Sequence, residues 1–159
     1  MKERIKIVVF SVLVIICFSC NLKEKDYNEN INELNEYINN IEKPRNVKFK
    51  IYELNSNVSR IGPSDNCLVA ILTYSKDDFL RIKNEIVKEE PVDIKFIKKD
   101  DKLAWFPKSV TDEFVLKGDL YYSIKAKSYK ANCFYKDPYI HGFCFFTDQN
   151  EIFLSLYAL

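Results

Sequence analysis

The pattern of apolar and polar positions divides the chain into three regions. A run that is apolar apart from Ser11 extends from residue 7 to residue 18. Asparagine and glutamate dominate residues 28 to 42, where apolar side chains recur at intervals of three and four. From residue 44 onward, apolar residues mostly alternate with polar ones. These patterns predict an N-terminal leader, then a helix, then a domain rich in β-strands.

The middle region has the periodicity of an amphipathic helix. Its apolar stripe consists of Tyr27, Ile31, Leu34, Ile38 and Ile41. Residues three and four apart share one face of an α-helix, so this stripe predicts a helix that docks on the rest of the domain. Asp26 is placed to cap its start, and Pro44 closes its end. A partner-binding arm is the alternative interpretation of the same stripe.

The region after Pro44 predicts strands on either side of a second helix. The predicted strands are at residues 47–52, 67–74, 92–98 and 103–106. The run at 67–74 is apolar throughout, which is typical of a strand buried on both faces. The second helix is predicted from Ser75, its capping residue, to Glu90, because Pro91 follows.

The C-terminal third predicts a meander of antiparallel strands. These strands are predicted at residues 119–129, 131–136, 142–147 and 151–158. Residues 137 to 140 predict a type I turn with Pro138 at its second position. The last strand is apolar on both sides, so both faces of the sheet should contact apolar partners, with the helices on one side. The predicted fold class is α+β: an N-terminal amphipathic helix, one further helix and a mainly antiparallel sheet that ends in a C-terminal β-meander.

The leader carries the most specific motif of the chain. Its apolar run follows three basic residues, and the small residue Ser19 precedes Cys20. The segment Cys17-Phe18-Ser19-Cys20 resembles the lipobox of bacterial lipoproteins, although Cys17 replaces the usual leucine and Phe18 the usual alanine or serine. The resemblance implies that Cys20 becomes the mature N-terminus and carries a thioether-linked diacylglyceryl group, with palmitate among the attached acyl chains.

Two other fates of the leader compete with lipidation. Cys17 and Ser19 also form a small-x-small pattern, so ordinary signal peptidase could cut the same bond and leave Cys20 as a free thiol. An uncleaved membrane anchor is disfavoured because the apolar run is shorter than the ~20 residues that cross a bilayer. The predicted organisation is a signal peptide at 1–19, a lipid-anchored segment with the amphipathic helix at 20–43, and an α+β domain at 44–159.

The lipoprotein resemblance also implies a location. The mature protein would be lipid-anchored in a bacterial cell envelope. Asn21, and not aspartate, follows the cysteine, so the resemblance implies the outer membrane where one exists, on its periplasmic or surface face. The membrane is therefore one expected partner, held through the N-terminal lipid.

Charge gives no sign of a nucleic-acid partner. The chain has 24 basic and 23 acidic residues, and residues 1 to 19 hold three of the former and one of the latter. The mature chain would carry 21 basic against 22 acidic residues, a net charge of −1. A near-neutral chain lacks the basic footprint that binds nucleic acid or an anionic membrane surface.

Three cysteines follow the leader, and two of them suggest a disulfide. If the strands on either side of Pro138 pair symmetrically, Cys133 lies opposite Cys144, at a Cα separation of ~4.5 to 5.5 Å that permits the bond. An exported protein reaches compartments where disulfides form. Cys67 would remain a buried free thiol, and the alternative is that all three are small core residues.

No residue pattern predicts catalysis, a metal or a cofactor. His141 is the only histidine, and its odd spacing from Cys144 in a strand places the two side chains on opposite faces. The paired acids fit helix starts and turns, and glycine-rich phosphate loops are absent. The sequence therefore predicts a noncatalytic protein without cofactor.

Aromatic residues favour a binding function. Strand alternation cannot bury every member of the set Trp105, Tyr121, Tyr122, Tyr129, Tyr135 and Tyr139, and exposed Tyr or Trp is favoured at interfaces. Packing in the core is the alternative interpretation, and it explains most of them equally well. The leading hypothesis is a lipid-anchored domain that binds a protein or an envelope component. The alternative is an immunity-type inhibitor of an exported toxin, and a small envelope enzyme is the least favoured.

Overall fold

The computed structural model describes residues 25–53, 66–93, 97–98, 103–117 and 121–158. Three α-helices are described: α1 at Ile31–Tyr37, α2 at Lys76–Ile86 and α3 at Lys108–Thr111. The first five strands are β1 at Asn46–Glu53, β2 at Asn66–Thr73, β3 at Pro91–Val92, β4 at Ile97–Lys98 and β5 at Phe114–Lys117. The others are β6 at Tyr121–Ile124, β7 at Ser128–Lys130, β8 at His141–Phe146 and β9 at Glu151–Tyr157. Short 3₁₀ turns lie at Leu103–Trp105 and Asn132–Phe134.

The strands form two antiparallel sheets. The main sheet has six strands in the order β1-β2-β9-β8-β7-β3, and the small sheet has the order β4-β6-β5. Every described strand pair is antiparallel, and β7, β8 and β9 follow one another as neighbours. The α+β class and the mainly antiparallel sheet are therefore confirmed.

The main sheet is covered on both faces, and each face has its own core. We call the core on the first face the first core and the core on the second face the second core. On the first face, Leu34 of α1, Ile38 just after α1 and Ile82 of α2 pack in a core with β2 and β9. On the second face, Trp105 and Phe106 pack with phenylalanines of β8 and β9. Residues 152–156 of β9 are all buried because the strand lies between the two cores. Helices do cover one side, as predicted, and the segment around α3 and the small sheet covers the other.

The first helix is shorter than its apolar stripe. Asn28 forms two backbone hydrogen bonds with Phe49 of β1, at 2.8 and 2.9 Å, and so stays extended. The helix therefore begins after Asn30, whose side-chain oxygen accepts from the amide of Asn32 at 3.0 Å. Asp26 is not the cap, and Tyr27 lies outside the helix. By contrast, Ser75 caps α2 as predicted, accepting from the amide of Asp78 at 3.1 Å.

Two of the segments predicted as strands contain 3₁₀ turns instead. Residues 103–106 begin with a 3₁₀ turn, and residues 132–134 form another. The turn predicted at residues 137 to 140 also differs, because the Asp137–Pro138 bond is cis and the bridged pair is Lys136 and Tyr139. Pro138 is thus the third residue of the turn and not the second. The predicted type I turn is therefore wrong.

Candidate functional site

The first described residues, 25 to 34, wrap around the outer edge of β1. Tyr27 packs against the second core, Asn28 pairs with the edge strand, and Leu34 enters the first core. The chain thus crosses from one face of the main sheet to the other within eight residues. We call residues 25–28 together with residues 48–51 of β1 the N-terminal edge.

Aromatic and lysine side chains hold the segment in place on the second face. Tyr27 stacks on Trp105, with ring centroids 5.6 Å apart and planes 27° apart. Lys48 Nζ lies 5.0 Å from the centroid of the Tyr27 ring, within the range of a cation–π contact. Trp105 Nε1 also donates to the hydroxyl oxygen of Tyr52, at 3.0 Å. Tyr27 therefore fixes the N-terminal edge on the second face of the main sheet, just after the leader.

Two ion pairs flank this aromatic contact. Lys25 Nζ lies 2.5 Å from the carboxylate of Glu29, and Lys50 pairs with Asp26. The hydrogen bond with Lys25 lowers the pKa of the Glu29 carboxyl, and the same bond raises the pKa of Lys25. Both pairs are solvent-exposed, so each contributes little to stability. Their effect is to neutralise most of the charge at the N-terminal edge.

A first cleft of about 460 Å³ opens at the N-terminal edge. Its lining residues are Lys25, Asp26, Tyr27, Asn28, Glu33, Phe49, Lys50 and Ile51. Phe49 directs its backbone groups outward to Asn28, and alternation in a strand means that Ile51 does the same. The amide and carbonyl of Ile51 have no hydrogen-bond partner among the described residues. The cleft floor therefore presents an open stretch of sheet edge.

A second cleft of about 400 Å³ lies on the other flank of α1. It is lined by Ile31, Asn32, Asn35, Asn40, Ile41, Glu42, Lys43 and Pro44. Asn40 Nδ2 donates to Asn35 Oδ1, and Lys136 Nζ donates to the carbonyl of Asn35 at 2.6 Å. Asn40 Oδ1 is buried without a hydrogen-bond partner in the part of the chain that the structure describes. The asparagine-rich composition of residues 28 to 42 was the only sequence signal for this cleft.

The predicted opposition of Cys133 and Cys144 is wrong. The strand β7 ends at Lys130, and the chain then turns, so that Cys133 lies in a 3₁₀ turn. Cys144 is instead opposite Tyr129. Both residues are free thiols associated with the first core, and the disulfide itself stays a prediction.

Burial makes these two thiols poor nucleophiles. It raises the pKa of Cys133 to about 11 and raises that of the more deeply buried Cys144 further. Because the thiolate is the reactive form, both are protonated and unreactive near neutral pH. Cys67, by contrast, is only half-buried, on the second face, with its sulfur 3.7 Å from Ser155 Oγ.

His141 and Cys144 lie on opposite faces of β8, as predicted. The ring of His141 stacks on Tyr157, with centroids 5.8 Å apart and planes 19° apart. Cys144 belongs to the first core, on the other side of the sheet. Within the described ranges, no group of three histidine, cysteine or acidic residues is close enough to hold a metal ion.

Most of the aromatic residues predicted to be partly exposed fill the two cores. Trp105, Tyr129 and Tyr139 are buried, and Tyr122 and Tyr135 are half-buried. The side chain of Tyr121 lies outside the described set. The large apolar residues that are exposed instead are Ile41, Leu80, Val87, Leu116 and Ile140. Trp105, Tyr129 and Tyr139 are therefore core residues, as the core-packing interpretation predicts.

Cys20 and the rest of the leader lie outside the described residues. Among the residues that are described, none of the helices is both long enough and apolar enough to cross a bilayer.

Known proteins provide no assignment for this chain. No protein-family model matches it, and neither does any curated protein or solved structure.

Proposed function

We propose that the protein is a bacterial envelope lipoprotein, anchored by lipid on Cys20, whose domain binds a protein or an envelope component without catalysing a reaction. The observation that carries the proposal is the pair Ser19-Cys20 at the end of a basic and apolar leader. Each buried methylene of an acyl chain contributes ~0.8 kcal/mol, so two or more chains hold a protein firmly on its membrane.

The position of the folded domain supports an anchor at Cys20. Only residues 21 to 24 separate this cysteine from Lys25, the first described residue. Tyr27 and Asn28, just beyond it, are already packed on the sheet. Cleavage before Cys20 would therefore leave every described contact of the domain in place.

The second cleft supports a binding role. Its three asparagines can each donate and accept hydrogen bonds, which suits an uncharged polar ligand such as a peptide backbone or a sugar. Asn32 and Asn35 are exposed, so their side-chain amides are the polar groups open to that ligand. Ile41, 42% exposed at the same cleft, adds an apolar contact.

The anchor is tested by metabolic labelling with a palmitate analogue. We expect the wild-type protein to take up label and to sediment with membranes, and the Cys20→Ser variant to do neither. Cys17→Ser is the matched control and should remain labelled, since it keeps a small residue at that position. Undiminished labelling of the Cys20→Ser variant would contradict the proposal.

The binding surface is tested by photo-crosslinking in the producing cell. A photoreactive amino acid replaces Asn32 at the second cleft or, as control, Asn84, an exposed helical asparagine on α2. We expect one adduct of discrete mass from position 32 and none from position 84. The absence of any adduct at 32, or the same adducts at both positions, would count against binding at this cleft.

A further inference from the structure

We propose that the N-terminal edge of the domain lies against the membrane surface, with Tyr27 and Lys48 among the phospholipid headgroups and β3 pointing away from them. This inference rests on the proposed lipid anchor at Cys20. It adds an orientation, and therefore a second contact surface, to that anchor.

The tether between the lipidated Cys20 and the folded domain is short. Lys25 is five residues from Cys20, and a fully extended chain spans at most ~3.6 Å per residue. The Cα atom of Lys25 therefore stays within about 18 Å of the lipidated residue. Lys25 contacts Glu29 and the ring of Tyr27, and Tyr27 in turn stacks on Trp105, so the described chain lies on the domain from Lys25 onward.

The main sheet is wider than this tether is long. Its six strands have five gaps, and neighbouring strands lie ~4.8 Å apart, so the sheet is about 24 Å wide. The N-terminal edge lies at β1, and β3 is the opposite edge strand. If β3 faced the membrane, Lys25 would stand about 24 Å above it, beyond the reach of the tether. The tether thus excludes this orientation and keeps the Cα atom of Lys25 within about 18 Å of the lipidated cysteine.

The surface beside the tether has side chains that suit a headgroup layer. Tyr27 is half-buried and presents an amphipathic ring, the type of side chain that is enriched at the headgroup level. Lys48 lies over that ring, and no carboxylate of the described residues is within ion-pair distance of its ammonium, although its charge helps to lower the pKa of Glu29. A lysine ammonium on a long apolar stem suits a headgroup phosphate. The other two lysines of the N-terminal edge are already neutralised, so Lys48 is the cation it offers.

The test uses the mature lipoprotein in vesicles of phosphatidylethanolamine and phosphatidylglycerol that carry a headgroup-linked spin label. A fluorescent amino acid replaces Lys48 or, as matched control, Lys130, an exposed lysine of β7 next to the far edge. We expect a loss of fluorescence at position 48 and none at position 130. Equal quenching at the two positions, or quenching at 130 alone, would overturn the orientation.

A longer tether tests whether the length of the tether is what orients the domain. Insertion of about ten glycine and serine residues after Leu22 gives the domain a flexible linker, which should remove the difference between positions 48 and 130. A difference that survives the insertion would show that tether length does not orient the domain. Co-flotation with the vesicles keeps the two proposals apart: a protein that does not float refutes the lipid anchor, and one that floats with equal quenching refutes only the orientation.

Discussion

Replacing Gly142 by alanine is expected to lower the free energy of unfolding by about 3 to 5 kcal/mol, a large part of the stability of a single domain. Gly142 has a φ of +142°, a backbone conformation that L side chains rarely adopt. A Cβ atom there would lie 2.1 Å from the carbonyl oxygen of Ser155 and 2.8 Å from the Cα atom of Leu156. Both are backbone atoms of β9, so no side chain can move aside to make room.

Urea unfolding followed by far-UV circular dichroism measures this loss. His141→Ala is the matched control on the neighbouring residue of β8. It removes one ring stacked on Tyr157 and should cost about 0.5 to 1.5 kcal/mol. If Gly142→Ala costs no more than the control, then β8 and β9 do not approach each other as closely at this point as described. Failure of Gly142→Ala to fold while His141→Ala folds would agree with the expected loss.

Local signals explain what could be predicted about the helices. Ser75 and the apolar spacing after it lie within one stretch of chain, and they were sufficient to predict α2. The first helix was predicted too long because a distant residue, Phe49, holds Asn28 extended by two backbone hydrogen bonds. Nothing near Asn28 in the sequence signals that contact.

The errors around Trp105 and Cys133 have a different origin. A short apolar run such as 103–106 fits a strand or a turn equally well, and only the core on the second face selects the turn. The pairing of Cys133 with Cys144 assumed a symmetric hairpin, and register follows the turn, which here includes a 3₁₀ turn before Pro138. The second cleft was missed because its asparagines resemble an ordinary solvated helix face. Cys20, by contrast, is a candidate on its motif alone.

Replacing Phe153 by alanine is expected to lower the free energy of unfolding by about 3 to 5 kcal/mol. The side chain is fully buried in β9, a central strand of the main sheet. Its ring stacks on Phe145, with centroids 4.7 Å apart, and contacts Phe106 and Phe114 edge-on at 5.5 and 5.7 Å. Alanine would leave a cavity that these rigid rings cannot readily fill, and it would also remove the aromatic pairs.

Two variants serve as controls for this measurement. Phe153→Leu keeps most of the apolar volume and should cost clearly less than alanine. Leu116→Ala removes a side chain that is 47% exposed on β5, at the edge of the small sheet, and should change stability by no more than about 0.5 kcal/mol. A loss below about 1 kcal/mol for Phe153→Ala would mean that the layer on the second face does not pack on β9.

The Phe153→Ala variant also shows whether the two cores unfold together. Trp105 is the only tryptophan and is buried in the second core, so its fluorescence reports that layer, whereas far-UV circular dichroism reports the whole domain. Because β9 directs Leu154 to the first core and Phe153 to the second, loss of either core should unfold the shared strand. We therefore expect coincident unfolding curves from the two probes in the wild type and in the variant. An earlier fluorescence transition in the variant would instead make the second layer a separate cooperative unit that only rests on the sheet.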